Sequence, residues 1–186
     1  MNAFLPDGAP WLAWLIRAAD GRRVQEKIDL SKVRFLVVEE NRVMGEAITD
    51  MLSALGATQV VRGYDVDQAI RILRGGSIDV VFTEWVLRGR SGIELLEYIR
   101  RDPRSPNRMM PIIMVTANSE EEYVKQARDL GITEFMAKPF TVDTFYRRLV
   151  TVIARPRAFI SVDTYFGPDR RRRQVDFNGP DRRQPQ

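Results

Sequence analysis

Between Val33 and Ala154 short β-branched runs alternate with amphipathic helical stretches, and this alternation restricts the fold more than any other feature. Val33 to Val38 is a β-branched and aromatic run of the kind found in a buried parallel strand. Asn41 is placed to cap a helix through Ala54, with Val43, Ala47, Ile48, Met51, Leu52 and Leu55 on one side and Gly56 as its stop. A second strand is expected over Gln59 to Arg62, then a helix capped by Asp65 that runs through Leu73 and ends at Gly75 and Gly76. Asp79 to Glu84 reads as the third strand, Trp85 to Ser91 as a loop, and Gly92 to Arg101 as a helix. Pro111 to Thr116 makes a fourth strand and Glu120 to Leu130 a helix stopped by Gly131. Thr133 to Met136 makes a short fifth strand. Lys138 and Pro139 form a turn, and Thr141 caps a last helix to about Ala154.

Strict strand–helix alternation implies a doubly wound parallel sheet covered on both faces, an α/β fold. Ligand chemistry in such sheets gathers at the carboxyl ends of the strands. Those ends carry Glu39, Glu40, Glu84, Thr116 and Lys138: three acids, a hydroxyl and a lysine brought together by topology.

What is missing narrows the chemistry further. The 186 residues include no cysteine and no histidine, which removes disulfides, thiolate nucleophiles, imidazole bases and the usual zinc sites. Net charge is +4, and it is unevenly placed. Eight arginines and four aspartates lie between Arg155 and Gln186, out of 29 basic and 25 acidic residues in all. The rest of the chain, with twenty-one of each, is neutral. A neutral body with a basic arm points to an anionic partner for the arm. At the other end, residues 1–30 form an extension in which Trp11, Leu12, Trp14, Leu15 and Ala18 fall near helical spacing. A short helix packed on the body or on a second copy is the plain reading, with a membrane-surface helix or a misplaced start as alternatives. The apolar stretch Pro10–Ile16 is too short to span a bilayer, and a cytoplasmic protein is expected.

The motifs Phe35-Leu36-Val37-Val38-Glu39-Glu40, Asp79-Val80-Val81-Phe82-Thr83-Glu84, Met114-Val115-Thr116-Ala117 and Phe135-Met136-Ala137-Lys138-Pro139-Phe140 stand in order along residues 31–154. That stretch resembles the CheY-like receiver domain of response regulators. The resemblance implies a flavodoxin-like, five-stranded sheet in the order 2-1-3-4-5. It also implies roles: Glu39 and Glu40 at the acidic pair that holds magnesium, Glu84 at the phosphoacceptor, Thr116 and Lys138 against the phosphoryl group, and Phe135 as the switching aromatic. A partner protein would dock on the face formed by about Glu120 to Ala154.

The departures from that pattern carry more weight. Aspartate is expected at all three acidic positions, and all three are glutamate. Magnesium demands near-ideal octahedral geometry. One extra methylene moves each carboxylate by about 1.3–1.5 Å, and a misplacement of about 1 Å can cost roughly a hundredfold in rate when positioning is the catalysis. Arg88 stands where proline is usual, a cation able to cover the pocket. A non-enzymatic receiver with neither magnesium nor phosphorylation is therefore expected. Glu84 then has two readings: a fixed stand-in for phospho-aspartate reaching Thr116 and Lys138, or a plain ion pair that satisfies the lysine.

The tail, residues 155–186, holds one pentapeptide twice, Gly167-Pro168-Asp169-Arg170-Arg171 and, twelve residues on, Gly179-Pro180-Asp181-Arg182-Arg183. Phe159 to Phe166 is apolar enough to lie along the body as an added strand. From Gly167 onward the arm is expected to stay flexible until it binds, with Gly-Pro setting a turn. Arginine reads the O6 and N7 edge of guanine, stacks on rings and pairs with phosphate. Aspartate can accept from the opposite guanine edge, and cyclic di-GMP offers two guanines and two phosphates. A receiver-like body with such a tail resembles the Cle-type CheY-like cyclic-di-GMP effectors, which act on the flagellar motor and surface attachment. By that resemblance Asp169, Arg170, Arg171, Arg172, Asp181, Arg182 and Arg183 bind the ligand, with Tyr165 or Phe166 stacking. A solvated tail that contacts nucleic acid loosely is the bland alternative, disfavoured because each arginine pair follows an acid. A scaffold in a phosphorelay, with no ligand, is the rival function.

Overall fold

The computed structural model describes residues 3–4 and 28–170; the helix expected near Trp11 lies outside them. In chain order the elements are β1 (Ala3–Phe4), β2 (Arg34–Val38), α1 (Arg42–Ala54), β3 (Gln59–Gly63), α2 (Val66–Gly75), β4 (Val80–Thr83), β5 (Val86–Leu87), β6 (Arg90–Ser91), α3 (Gly92–Arg101), β7 (Ile112–Thr116), α4 (Glu121–Asp129), β8 (Glu134–Ala137), α5 (Val142–Ala154), β9 (Phe159–Val162) and β10 (Tyr165–Pro168). Strands β3, β2, β4, β7 and β8 lie side by side in that order, every pairing parallel. Numbered by sequence, this is the 2-1-3-4-5 arrangement. Asn41, Asp65 and Thr141 cap their helices as the sequence predicts, each side chain accepting a backbone N–H. The stretch read as a loop folds back on itself, Val86 facing Ser91 and Leu87 facing Arg90 in a small antiparallel ribbon.

Period-two alternation sends successive residues of each strand to opposite sides. Leu36, Val38, Val81, Ile112 and Met114 pack beneath α2, α3 and α4. Phe35, Val37, Phe82, Ile113 and Val115 face α1 and α5. On the second side Phe82 stacks on Phe145 at 5.4 Å and tilts against Phe35 at 6.2 Å. Each such ring, fully buried, contributes about 2–3 kcal/mol. Among the described residues, no helix is long and apolar enough to cross a membrane.

The C-terminal segment departs from expectation. Phe159–Val162 and Tyr165–Pro168 form an antiparallel hairpin that does not join the parallel sheet; β9 instead pairs with Ala3–Phe4. The first Gly-Pro is not a turn, because Gly167 and Pro168 lie inside β10 opposite Ile160 and Phe159. Nor does order stop at Gly167: the Asp169 N–H donates to the Ala158 carbonyl at 2.7 Å. Burial of Gly167 and Pro168 and the backbone bond of Asp169 hold the start of the first repeat, where local composition alone predicts flexibility.

The hairpin docks at the amino ends of β7 and β8, around a buried arginine. Arg100, 0 % exposed, donates to the carbonyls of Gly131, Met110 and Arg108 at 2.9, 2.7 and 2.9 Å, and to Thr133 Oγ1 at 3.3 Å. Its guanidinium lies 5.2 Å from the Phe159 ring centre, while Arg108 covers Phe166 at 4.3 Å. Arg157 ties the strap down by donating to the carbonyls of Asp169 and Thr133. Gly131 makes the close approach possible. Its φ is +89°, and a Cβ there would sit 2.5 Å from the Phe166 carbonyl oxygen. Burial pulls the Arg100 pKa down to about 9; the Tyr165 phenol opposes this and the Arg108 cation adds to it. The group still keeps its charge at neutral pH.

Replacing Arg100 with leucine takes the guanidinium donor from the carbonyls of Gly131, Met110 and Arg108 and is expected to cost about 3 kcal/mol. Urea unfolding measures it, and a loss below about 1 kcal/mol would show that Arg100 does not organise this end of the molecule.

Candidate functional site

Four parallel strands end within reach of one lysine. Glu39 follows β2 and is 4 % exposed; its Oε1 accepts from the Asn41 N–H at 3.0 Å and its Oε2 from Lys138 Nζ at 2.7 Å. Glu84 follows β4, with Oε1 accepting from the Trp85 N–H at 2.6 Å and Oε2 from the same Nζ at 2.7 Å. The buried Trp85 ring, edge-on to Tyr123 at 4.9 Å, anchors the chain just beyond Glu84. Lys138 enters from the end of β8 through a cis Lys138–Pro139 peptide. Burial works against its charge, but the hydrogen bonds it donates to Glu39 and Glu84, with their negative charge, outweigh burial and hold its pKa above the ordinary lysine value.

Of the five residues expected to converge, these three form a closed ion-paired cluster. Thr116, 1 % exposed at the end of β7, turns its hydroxyl oxygen to the Asn118 N–H at 3.1 Å. Glu84 reaches the lysine but not Thr116, which is the geometry of the plain ion pair. Glu40 stands apart and exposed, lining a surface cleft with Arg42, Tyr64, Asp65 and Arg88. Phe135 is half-buried and packs on the α2–α4 side of the sheet.

This donor set does not fit a magnesium ion. Every carboxylate oxygen of Glu39 and Glu84 already accepts from an N–H or from Lys138, and among the described residues no three acidic side chains converge as a metal cluster would. A hydrated divalent cation would have to displace the lysine from both carboxylates.

The arm begins at the opposite end of the sheet, about 16 Å away by the rise of a five-residue strand. There the Arg170 guanidinium lies 4.3 Å from the Tyr165 ring centre and pairs with Asp129, at the end of α4, at 3.2 Å. The Tyr165 hydroxyl donates to the Pro168 carbonyl at 2.8 Å, which fixes the ring over Gly167. Arg171, Arg172, Asp181, Arg182 and Arg183 lie outside the described residues.

Sequence reasoning missed Arg100, Arg108 and Asp129 and read Gly131 only as a helix stop, although these residues seat the hairpin and Arg170. One signal was present: Ile93, Leu96 and Arg100 stand at i, i+3 and i+7, which puts the arginine on the apolar face of α3.

Lys138→Met removes the cation between two partly buried carboxylates and is expected to destabilise the fold by about 3 kcal/mol at neutral pH. Because the folded lysine titrates above its ordinary value of 10.5, its contribution is fully present below that pH and is lost as pH rises through the folded pKa. Unfolding curves of both proteins should run parallel from pH 7 to 10 and converge above. A gap that closes below pH 9 contradicts the ion-pair account.

Comparisons with known proteins identify the fold that carries this cluster. The response regulator receiver domain model matches residues 35–150. The chemotaxis protein CheY of Pseudomonas aeruginosa is 28% identical over 123 residues, 66% of this chain and 98% of that protein. CheY-3 of Vibrio cholerae is 29% identical over 130 residues, 70% of this chain and 98% of its own length. Among solved structures, the receiver domain of the sensor histidine kinase PA1611 from Pseudomonas aeruginosa, which has magnesium in its active-site cleft, superposes with a TM-score of 0.58 at 30% identity, covering 65% of this chain and 97% of that one. The matched segment runs from β2 into α5 and takes in the whole parallel sheet together with Glu39, Glu84, Thr116 and Lys138, so this chain belongs to the response regulator receiver domain family.

Proposed function

We propose that this protein is a non-enzymatic signalling effector whose input is cyclic di-GMP, bound by the duplicated Gly-Pro-Asp-Arg-Arg arm and passed to a protein partner. The observation that carries this reading is the first repeat held on the body with Arg170 stacked over Tyr165. A guanidinium already placed over a ring is the kind of platform that a purine extends by stacking, while its N–H groups remain suited to guanine O6 and N7 or to phosphate. The second repeat, Asp181, Arg182 and Arg183, with Arg171 and Arg172, supplies the matching half. The arm closes around the dinucleotide beside α4, which lies within the Glu120–Ala154 face. The partner reads that face, and a flagellar motor component is the candidate drawn from the Cle resemblance. Nucleic acid is not the partner on this reading, and neither magnesium nor phosphorylation of the receiver takes part, because Lys138 is held by Glu39 and Glu84.

Calorimetry should show binding of cyclic di-GMP by the full chain, with little response to cyclic di-AMP. A chain ending at Arg170 keeps the hairpin on Arg100 and should bind at least tenfold more weakly. Absence of heat with the full chain overturns the reading in favour of a ligand-free scaffold, and equal heat from both chains removes the second repeat from the site.

Acetyl phosphate with magnesium should leave no label. Stable labelling lost in Glu84→Ala would restore phosphorylation as the input.

A further inference from the structure

We infer that Asp129 is a built-in competitor for the ligand, occupying Arg170 until an anionic ligand takes its place. This rests on the arm being the cyclic-di-GMP site. Asp129 Oδ1 stands 3.2 Å from Arg170 Nη1 and also 3.4 Å from Arg128 Nε. Both side chains of the Asp129–Arg170 pair are about half exposed, so the contact is open to exchange with solvent and solutes. The backbone next to Arg170 does not share that freedom. Asp169 is pinned by Ala158 and Arg157, and Tyr165 by Pro168. Arg170 can therefore change partner without its platform moving.

Two features make the exchange directional. A ligand phosphate offers more charge than one carboxylate and accepts the planar guanidinium in two parallel hydrogen bonds. When Arg170 leaves, Arg128 remains beside Asp129, so the carboxylate is not abandoned at the C-terminal end of α4, where a negative charge opposes the helix dipole. The exchange also alters charge on α4, at the edge of the surface assigned to the partner. Asp129 thus has a double part, setting ligand affinity and reporting occupancy to that surface.

The test compares cyclic di-GMP affinity in three full-length chains: wild type, Asp129→Asn and Asp143→Asn. Asp143 is an exposed carboxylate on α5 paired with Arg147 at 2.6 Å, so its substitution changes net charge equally without touching Arg170. Exposed pairs of this kind shift an equilibrium by about two- to fivefold, and Asp129→Asn should tighten binding by that factor, with Asp143→Asn close to wild type. The advantage should shrink as salt rises. Equal affinity in wild type and Asp129→Asn, weaker binding by Asp129→Asn, or an equal gain from Asp143→Asn overturns the competitor role while leaving the arm as the sensor. No binding by any of the three overturns the cyclic-di-GMP reading and this inference with it.

Discussion

Burial of the parallel sheet on both faces is the constraint from which the rest of the molecule follows. Strands β4 and β7 are buried at every residue, and β2 at all but Arg34. Helices cover the two faces, so charged side chains that enter the body are pushed to the strand ends. At the carboxyl ends this produces the cluster of Glu39, Glu84 and Lys138. At the amino ends it produces Arg100, lodged among carbonyls and covered by the C-terminal hairpin.

The two clusters solve the burial of a cation differently. Lys138 sits between two carboxylates, each of which also accepts a backbone N–H, so charge is balanced locally and the favourable geometry offsets desolvation. Arg100 has no carboxylate partner among the described residues. Its charge is met by carbonyl dipoles of the body and by the Phe159 ring that β9 supplies. The first cluster belongs to the receiver fold itself. The second couples the body to the hairpin of β9 and β10.

The separation of these ends changes how a signal would travel. In a phosphorylated receiver the input arrives at the carboxyl ends of the strands. Here that position is closed by an ion pair, and the arm leaves from the amino ends, beside the last turn of α4. The first repeat meets α4 through the Arg170–Asp129 pair, without any path through the sheet.

Much of the body was legible in the sequence because local rules suffice there. Period-two apolar runs, Asn41, Asp65 and Thr141 as caps, and glycine stops marked the elements to within a residue or two, and topology then brought Glu39, Glu84 and Lys138 together. Side-chain reach was not legible: whether Glu84 met Thr116 as well as Lys138, and whether Glu40 joined the cluster, depended on distances of a few ångströms across strands far apart in the chain. The arm was least legible of all. Glycine, proline and charge in Gly167–Arg170 carry no periodic signal, and their order comes from Ala158, Arg157 and Gly131, contacts that no local pattern encodes. The sequence by itself determined the alternating fold, the residues at the strand ends and the repeated unit, since each is written in spacing and residue type. Only the tertiary structure decided which charges pair and where the arm is seated, because those outcomes turn on long-range packing and on the balance between desolvation and pairing.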